Sequence, residues 1–327
     1  MAVGVFMQMN MVSALNNALD IILKENDKAL ILGEDVGKDG GVFRVTEGLL
    51  EKYGENRVVD TPLAESGIIG TSIGMALSGL HPISEIQFAG FMFLGFSQLI
   101  NHASRYRTRT RSNMSLPMVV RTPVSGGVRT LEHHSDSPET YYSHIGGLIV
   151  VEPSTPYDAK GLLIKASRMN DPVVFLEPTK LYRLFREEVP EEPYEVTIGK
   201  AKVVREGSKL SIVTYGTMVP VVKSVVEKKK LDAEIIDLRT INPIDEKTIL
   251  ESVSKTGRVA IVHEASLSFG VGAEIAARIS EKALYKLNAP IVRVGGNSFP
   301  YPYPGYENFY VPNEKKISYA LDKLLKG

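Results

Sequence analysis

Residues 57–80 read RVVDTPLAESGIIGTSIGMALSGL, and this stretch decides the fold. The β-branched run from Arg57 to Val59 predicts a strand, and the glycine-dotted stretch from Glu65 to Leu80 predicts a long helix. A short connection joins the two. A strand that passes so directly into a helix is the repeating unit of parallel sheets, because parallel neighbours must be joined by a crossover.

The same alternation continues through the first half of the chain. Further strands are predicted at Ala29 to Leu32, Pro82 to Gln87, Pro117 to Arg121, Leu148 to Glu152 and Pro172 to Leu176. Helices are predicted at Ser13 to Lys24, Phe93 to Arg105 and Tyr157 to Met169. Ser13 is the predicted cap of the first helix. Because the strands are continuous apolar runs, we expect a parallel sheet covered by helices on both faces.

A change in composition marks the end of this first unit. Residues 181–199, LYRLFREEVPEEPYEVTIG, contain two prolines and a cluster of glutamates, which is typical of a linker. Beyond it, strands are predicted at Leu210 to Thr214, Ala233 to Leu238, Arg258 to His263 and Pro290 to Val294. Helices are predicted at Val219 to Lys230, Glu246 to Ser254, Gly272 to Leu287 and from Asn313 onward. The sequence therefore predicts an α/β protein with two parallel-sheet domains, residues 1–186 and, including the linker, residues 187–327.

The composition excludes several classes of protein. The 327 residues, 43% of them hydrophobic, are enough for two cores. The 38 basic and 38 acidic residues balance, which argues against a nucleic-acid partner. The absence of cysteine excludes disulfides, thiolate metal sites and a cysteine nucleophile. The N-terminal MAVGVFMQMN has no targeting pattern, and no apolar run reaches membrane-spanning length, so we expect a cytoplasmic protein without a membrane partner.

Neither a phosphate site nor a zinc site is predicted in this chain. Gly270-Val-Gly272 opens a predicted helix after a strand, but the third glycine of a dinucleotide-binding motif is absent. His133, His134 and Asp136 lie close together in the sequence, yet zinc requires three or four ligands in a fixed geometry. A tight turn and a polar loop explain these two stretches better.

Two residues have both a structural and a catalytic interpretation. Glu65 stands in the first turn of a predicted helix, where the helix dipole favours a carboxylate for stability alone. His134 is either a hydrogen-bonded loop residue or a group that titrates near neutral pH during catalysis. The residues by themselves leave both alternatives open. The basic run Arg105 to Arg111 is best interpreted as a helix end or a subunit contact.

Seven stretches, taken together, closely resemble one family from end to end. They occur in order at Leu32–Val36 (LGEDV), Asp60–Gly67 (DTPLAESG), Glu85–Phe88 (EIQF), His134–Ser137 (HSDS), Pro153–Gly161 (PSTPYDAKG), Pro172–Glu177 (PVVFLE) and Asp237–Thr240 (DLRT). The chain resembles the beta subunit of pyruvate and branched-chain 2-oxoacid dehydrogenases, in the transketolase-like group. The resemblance implies a pyrimidine-binding transketolase-like domain followed by a smaller transketolase C-terminal-like domain.

The resemblance also implies the reaction and the partners. The activity would be oxidative decarboxylation of pyruvate or a branched-chain 2-oxoacid, with transfer of the acyl group to a lipoyl group. The chain would hold the aminopyrimidine end of thiamine diphosphate, while an alpha subunit in an α2β2 heterotetramer would hold the diphosphate and Mg²⁺. The C-terminal domain would dock on the lipoyl acyltransferase core. An acetoin dehydrogenase beta subunit and a non-catalytic assembly subunit remain the alternatives.

By position, the resemblance assigns roles to four residues. Glu65 would bond the pyrimidine ring nitrogen and favour the imino tautomer, which a buried carboxyl with a raised pKa can do by remaining protonated. Phe91 would stack on the pyrimidine ring, and Gln87 would line the same pocket. His134 would lie near the thiazolium end and assist substrate binding or transfer to the lipoyl group.

A K⁺ site is the remaining implication of the resemblance. In the family it is built from backbone carbonyls around the helix that precedes Pro172, and an acidic residue stands at the position of Met169 in this chain. The carbonyl of Ala166 and the side chain of Asp171 are the groups that would serve here.

Overall fold

The computed structural model describes residues 5–326 and contains three sheets. The strands are β1 Phe6–Met9, β2 Ala29–Gly33, β3 Val58–Asp60, β4 His81–Glu85, β5 Val119–Val124, β6 Ile149–Val151, β7 Val173–Pro178, β8 Glu187–Pro190, β9 Lys202–Arg205, β10 Leu210–Thr214, β11 Ala233–Asp237, β12 Thr240–Asn242, β13 Val259–Ser266 and β14 Val292–Gly296. The α-helices are α1 Met11–Glu25, α2 Leu49–Tyr53, α3 Glu65–Leu77, α4 Ala89–Met92, α5 Phe96–Asn101, α6 Tyr106–Arg109, α7 Glu139–Ser143, α8 Pro156–Ser167, α9 Met218–Lys228, α10 Glu246–Thr256, α11 Val271–Ala283, α12 Glu307–Tyr310 and α13 Glu314–Lys326.

The first sheet has seven strands in the order β12-β6-β7-β5-β4-β2-β3. All neighbouring strands from β6 to β3 are parallel. Helices α1 and α8 cover one face, and α3 and α5 cover the other. The predicted parallel sheet with helices on both faces is therefore confirmed.

The second sheet has five strands in the order β14-β13-β10-β11-β9, of which only the edge strand β9 is antiparallel to its neighbour. Helices α9 and α13 pack on one face. The opposite face joins the α3 side of the first sheet in one continuous apolar cluster. The second unit is thus also a mostly parallel sheet with helices packed on it, and the two units share a core.

The second unit also contributes a strand to the first sheet. Strand β12 lies after the predicted linker in the chain, yet Thr240 pairs with Val151 at the edge of the first sheet, in antiparallel orientation. The division at residues 186 and 187 stays a prediction, because residues 240–242 complete a sheet that the first unit builds. No helix in residues 5–326 is long and apolar enough to cross a membrane.

Two local predictions were wrong. Helix α1 is capped by Asn10, whose Oδ1 accepts the backbone N–H of Ser13 at 2.9 Å, so Ser13 lies inside the helix rather than at its cap. The helix predicted from Phe93 to Arg105 is not continuous, because the short helix α5 lies between two 3₁₀ turns, Phe93–Gly95 and Ala103–Arg105. A methyl group on Gly95 would stand 2.4 Å from Cδ1 of Ile69, so close packing on α3 sets the backbone path there.

A buried charge network joins the carboxyl ends of three strands in the first sheet. Arg121 of β5 donates from Nε and Nη2 to the Glu177 carboxylate of β7 at 2.7 and 3.0 Å, and from Nη1 to Glu85 of β4 at 2.9 Å. Tyr182 donates its hydroxyl to Glu177 at 2.6 Å. Burial opposes the charge of Arg121, but the two carboxylates outweigh it and raise the pKa of the guanidinium.

We expect Arg121→Met to lower the free energy of unfolding by about 3–5 kcal/mol, because it leaves two carboxyl groups buried without a counter-charge. Arg168→Met is the matched control. Arg168 also bridges two carboxylates, Glu25 and Glu195, but its side chain is 43% exposed, so the loss should stay within about 1 kcal/mol. Urea denaturation followed by tyrosine fluorescence measures both. Equal losses would contradict a special role for the buried network.

Candidate active site

The candidate site lies where three neighbouring strands end at one edge of the first sheet. Glu34 and Asp35 follow β2, Glu65 follows β3, and Gln87 follows β4. Because parallel strands point the same way, their carboxyl ends gather the residues that follow them, and ligands bind at this edge in open α/β sheets. The fold therefore brings together residues that are more than 50 positions apart in the chain.

Glu65 is the first residue of α3 and is almost completely buried. Burial raises the pKa of the neighbouring Glu34, and the negative charge of Glu65 raises it further. A carboxyl group at the carboxyl-end edge of a parallel sheet is suited to a ligand that offers a nitrogen. This position fits the pyrimidine end of the expected cofactor.

Glu34 is a neighbour of Glu65 that the residue assignments did not include. Burial raises the pKa of Glu34, and the negative charges of Glu65 and Asp35 raise it further. Among the described residues, Glu34 Oε1 has no hydrogen-bond partner. The stretch LGEDV already showed an acidic residue directly after a predicted strand. Only the order of the strands in the sheet reveals that Glu34, after β2, stands beside Glu65, after β3.

Gln87 is held by a single hydrogen bond across the edge. Its Nε2 donates to Oδ2 of Asp35 at 2.8 Å, which links the segment after β4 to the segment after β2. The side chain is only partly buried. The predicted position of Gln87 at the same edge as Glu65 agrees with the strand order, while its contact with a ligand stays a prediction.

Phe91 and His134 lie together in an aromatic group. The ring centroid of His134 is 4.3 Å from that of Phe88 and 5.2 Å from that of Phe91, and both contacts are edge-to-face. Nδ1 of His134 is buried without a partner in the described part of the chain. His133 is the more exposed of the two histidines, and its ring is 5.5 Å from Phe91.

A close backbone contact fixes this arrangement. A methyl group on Gly90 would stand 2.3 Å from the carbonyl oxygen of His133 and 2.8 Å from Oδ2 of Asp136. Glycine at the second position of α4 therefore allows the histidine-bearing loop to lie directly against the helix. Burial raises the pKa of Asp136 at the same contact.

The residues expected at a K⁺ site already have partners in the chain. Nε of Arg107 donates to the Asp171 carboxylate at 2.5 Å. The carbonyl of Ala166 accepts the backbone N–H groups of Arg168 and Met169 at the end of α8. K⁺ binding by Ala166 and Asp171 stays a prediction.

The glycines at the start of α11 do not form a cradle for a phosphate. A methyl group on Gly270 would stand 2.4 Å from the carbonyl oxygen of Ser266, and one on Gly272 would stand 2.5 Å from Nε2 of His263. These glycines admit the buried His263 ring rather than a ligand. Within residues 5–326, no group of three His, Cys, Asp or Glu side chains could hold a metal ion.

Comparisons with known proteins match the chain along nearly its whole length. The family model "Transketolase, pyrimidine binding domain" matches residues 7–184, and "Transketolase, C-terminal domain" matches residues 199–317. The chain is 49% identical over 320 residues to the pyruvate dehydrogenase E1 component subunit beta of Acholeplasma laidlawii, covering 97% of this chain and 98% of that protein. It is 51% identical over 313 residues to the Staphylococcus aureus protein of the same name, covering 95% and 96%.

A solved structure of a split gene transketolase, in the form of an inactive beta4 tetramer, is also similar. The TM-score is 0.78, and the match covers 97% of this chain and 98% of that chain. Because the sequence identity is 22%, this likeness concerns the fold alone.

Proposed function

This chain belongs to the transketolase-like family as the beta subunit of a 2-oxoacid dehydrogenase, and from that premise we propose that it converts pyruvate together with an alpha subunit. The reaction is oxidative decarboxylation followed by transfer of the acyl group to a lipoyl group. The names of the relatives support pyruvate over branched-chain substrates. The observation that carries the proposal is the buried Glu65, which stands beside Glu34 at the edge of the sheet where the strands end.

The family uses thiamine diphosphate, and the residues of this chain fit one end of that molecule. Glu65 would hold the pyrimidine ring nitrogen, Phe91 would pack against the ring, and Gln87 would line the pocket. When bound, the cofactor supplies a carbon nucleophile that attacks the keto group and accepts the electrons released as CO₂ leaves. The chain's own contribution is the Glu65 carboxyl group, which would hydrogen-bond the ring nitrogen and favour the imino tautomer.

His134 is proposed to act at the other end of the same pocket. The two phenylalanine rings pack around the imidazole, and Nδ1 has no hydrogen-bond partner within residues 5–326. From there, His134 would bind the substrate carboxylate or donate a proton to the lipoyl sulfur during acyl transfer.

The diphosphate and its Mg²⁺ are proposed to be held mainly by the alpha subunit, in an α2β2 heterotetramer. Support comes from the start of α11, where the His263 ring occupies the space beside the glycines. In addition, no group of three His, Cys, Asp or Glu side chains in the described residues could hold a metal ion. We also propose that the C-terminal domain docks on the lipoyl acyltransferase core, and we assign no particular residue to this contact. Co-sedimentation of the assembled heterotetramer with that core tests it.

The purified chain alone should have no pyruvate decarboxylating activity, because we propose that the alpha subunit holds the diphosphate and its Mg²⁺. Co-expression with the alpha subunit should produce turnover, measured with an artificial electron acceptor. A 2-oxoisovalerate assay run in parallel compares branched-chain activity. Substantial activity of the isolated chain would reject the shared site.

Glu65→Gln should leave the heterotetramer assembled, because the two side chains are nearly the same size. It should slow exchange of the cofactor's C2 proton about 100-fold or more, since an amide cannot donate a proton to the ring nitrogen as a carboxyl does. NMR of the bound cofactor measures the exchange. Glu51→Gln, which changes an exposed carboxyl in the first turn of α2, is the control. Unchanged exchange in Glu65→Gln would remove Glu65 from the mechanism.

His134→Ala should retain thiamine diphosphate, because Glu65 and Phe91 hold the pyrimidine end. Acylation of a lipoyl domain should fall about 100-fold, and decarboxylation with an artificial acceptor should fall less. His133→Ala, at the more exposed neighbour, should be nearly neutral in both assays. A larger defect from His133→Ala would mean that the role belongs to the other histidine.

A further inference from the structure

The loop that carries His134 is closed on itself and lies between the two units of the chain. The backbone N–H of Ser125 donates to the carbonyl of Asp136 at 2.9 Å, so the ends of the segment 125–136 meet. Ser125, Gly127 and Arg129 have positive φ angles of 72°, 83° and 61°. The left-handed region is costly for Ser125 and Arg129, so the surrounding structure must stabilise this conformation.

Three successive contacts come from the second unit. The backbone N–H of Gly126 donates to Oε1 of Glu264 at 2.6 Å, and that of Gly127 donates to the hydroxyl of Tyr301 at 3.0 Å. The backbone N–H of Arg129 donates to Oε1 of Glu307 at 3.2 Å. The hydrogen bond of Gly126 is buried and those of Gly127 and Arg129 are partly buried, and side chains of the C-terminal unit supply all three acceptors.

Two of the three acceptors bond to each other. The hydroxyl of Tyr301 donates to Oε1 of Glu307 at 3.1 Å, so the two residues that hold Gly127 and Arg129 also hold each other. The Tyr301 ring packs against Tyr310 at 5.0 Å between centroids. Glu264, the third acceptor, accepts from Thr217 of its own unit at 2.7 Å. A change at Tyr301 therefore affects Glu307, and a change at Glu307 affects Tyr301.

The fit between loop and tyrosine is also steric. A methyl group on Gly126 would stand 2.0 Å from the Tyr301 hydroxyl oxygen. The tyrosine therefore occupies the space that a side chain at position 126 would need. Tyr301 and Glu307 are both buried, so water cannot replace their hydrogen bonds without movement of the loop.

The opposite side of the loop packs against helix α4 and the residue before it. There the His133 carbonyl meets Gly90, and the His134 ring meets Phe88 and Phe91. The loop thus contacts helix α4 on one side and the C-terminal unit on the other. Where His134 stands depends on both contacts.

We propose that Tyr301 and Glu307 are positioning residues that hold His134 in place through the backbone of residues 125–136. The proposal rests on the proposed role of His134 in acyl transfer. It gives the C-terminal unit a part in the active site beyond docking. Neither residue touches the reacting groups.

The test uses Tyr301→Phe in the assembled heterotetramer, which keeps the ring and removes only the hydroxyl. Hydrogen exchange of residues 125–136 should increase roughly fivefold, because one buried hydrogen bond is lost on each side of the hydroxyl. Acylation of a lipoyl domain should fall about five- to tenfold, with decarboxylation to an artificial acceptor changed less than about twofold. Tyr303→Phe, at an exposed tyrosine in the same connection, is the matched control and should change neither.

A second pair of variants separates position from charge. Glu307→Gln retains a side-chain oxygen that can accept from Arg129 and Tyr301, so it should keep acylation within about twofold of the parent. Glu307→Ala removes the acceptor and should reproduce the loss seen with Tyr301→Phe. Equal losses in the two Glu307 variants would overturn the positioning role of that hydrogen bond.

A double variant decides whether the effect passes through His134. If it does, Tyr301→Phe causes no further loss of acylation once His134→Ala is present. The same fold loss in both backgrounds would overturn the proposal, as would unchanged exchange of residues 125–136 in Tyr301→Phe. A harmless His134→Ala would instead reject the proposed role of His134, and with it the catalytic consequence of the positioning, while the exchange data would still report whether the loop is held by Tyr301.

Discussion

The ion pairs of Arg121 with Glu85 and Glu177 are the interaction on which the rest of the structure depends. They tie the carboxyl ends of β4, β5 and β7 at the point where the site begins. Gln87 and the helix with Phe91 start directly after Glu85, and the hydroxyl of Tyr182 on Glu177 anchors the start of the connection between the units. Removing three charges from water costs several kcal/mol each, and the network is tolerable because each of the three guanidinium nitrogens donates to a carboxylate oxygen.

Next to this neutralised cluster, the same edge carries carboxyl groups that no basic side chain neutralises. Glu34 and Glu65 are both buried, and the charge of Glu65 helps to raise the pKa of Glu34. Such crowding is destabilising for the isolated chain and favourable for binding a ligand with nitrogen donors. The edge therefore has two parts. Glu85 and Glu177, which are paired with Arg121, stabilise the fold. Glu34 and Glu65 lie in the part proposed to serve the reaction.

The C-terminal unit is closely integrated with the first unit. It contributes strand β12 to the first sheet, shares an apolar cluster with the α3 face, and supplies three acceptors to the loop that carries His134. The position of the histidine loop therefore depends on both units of the chain.

The sequence by itself determined the alternation of strands and helices, the two α/β units and the stretches that resemble the family, because apolar periodicity and turn residues are local properties. It also indicated Glu65, Gln87, Phe91 and His134, though only through the resemblance. The tertiary structure alone decided which strand ends adjoin, and so placed Glu34 beside Glu65. It also decided that Phe93 to Arg105 bends around α3 and that Thr240–Asn242 joins the first sheet. Above all, it brought Tyr301 and Glu307 to residues more than 170 positions away, because hydrogen bonds between a loop and a distant unit leave no periodic trace in the chain.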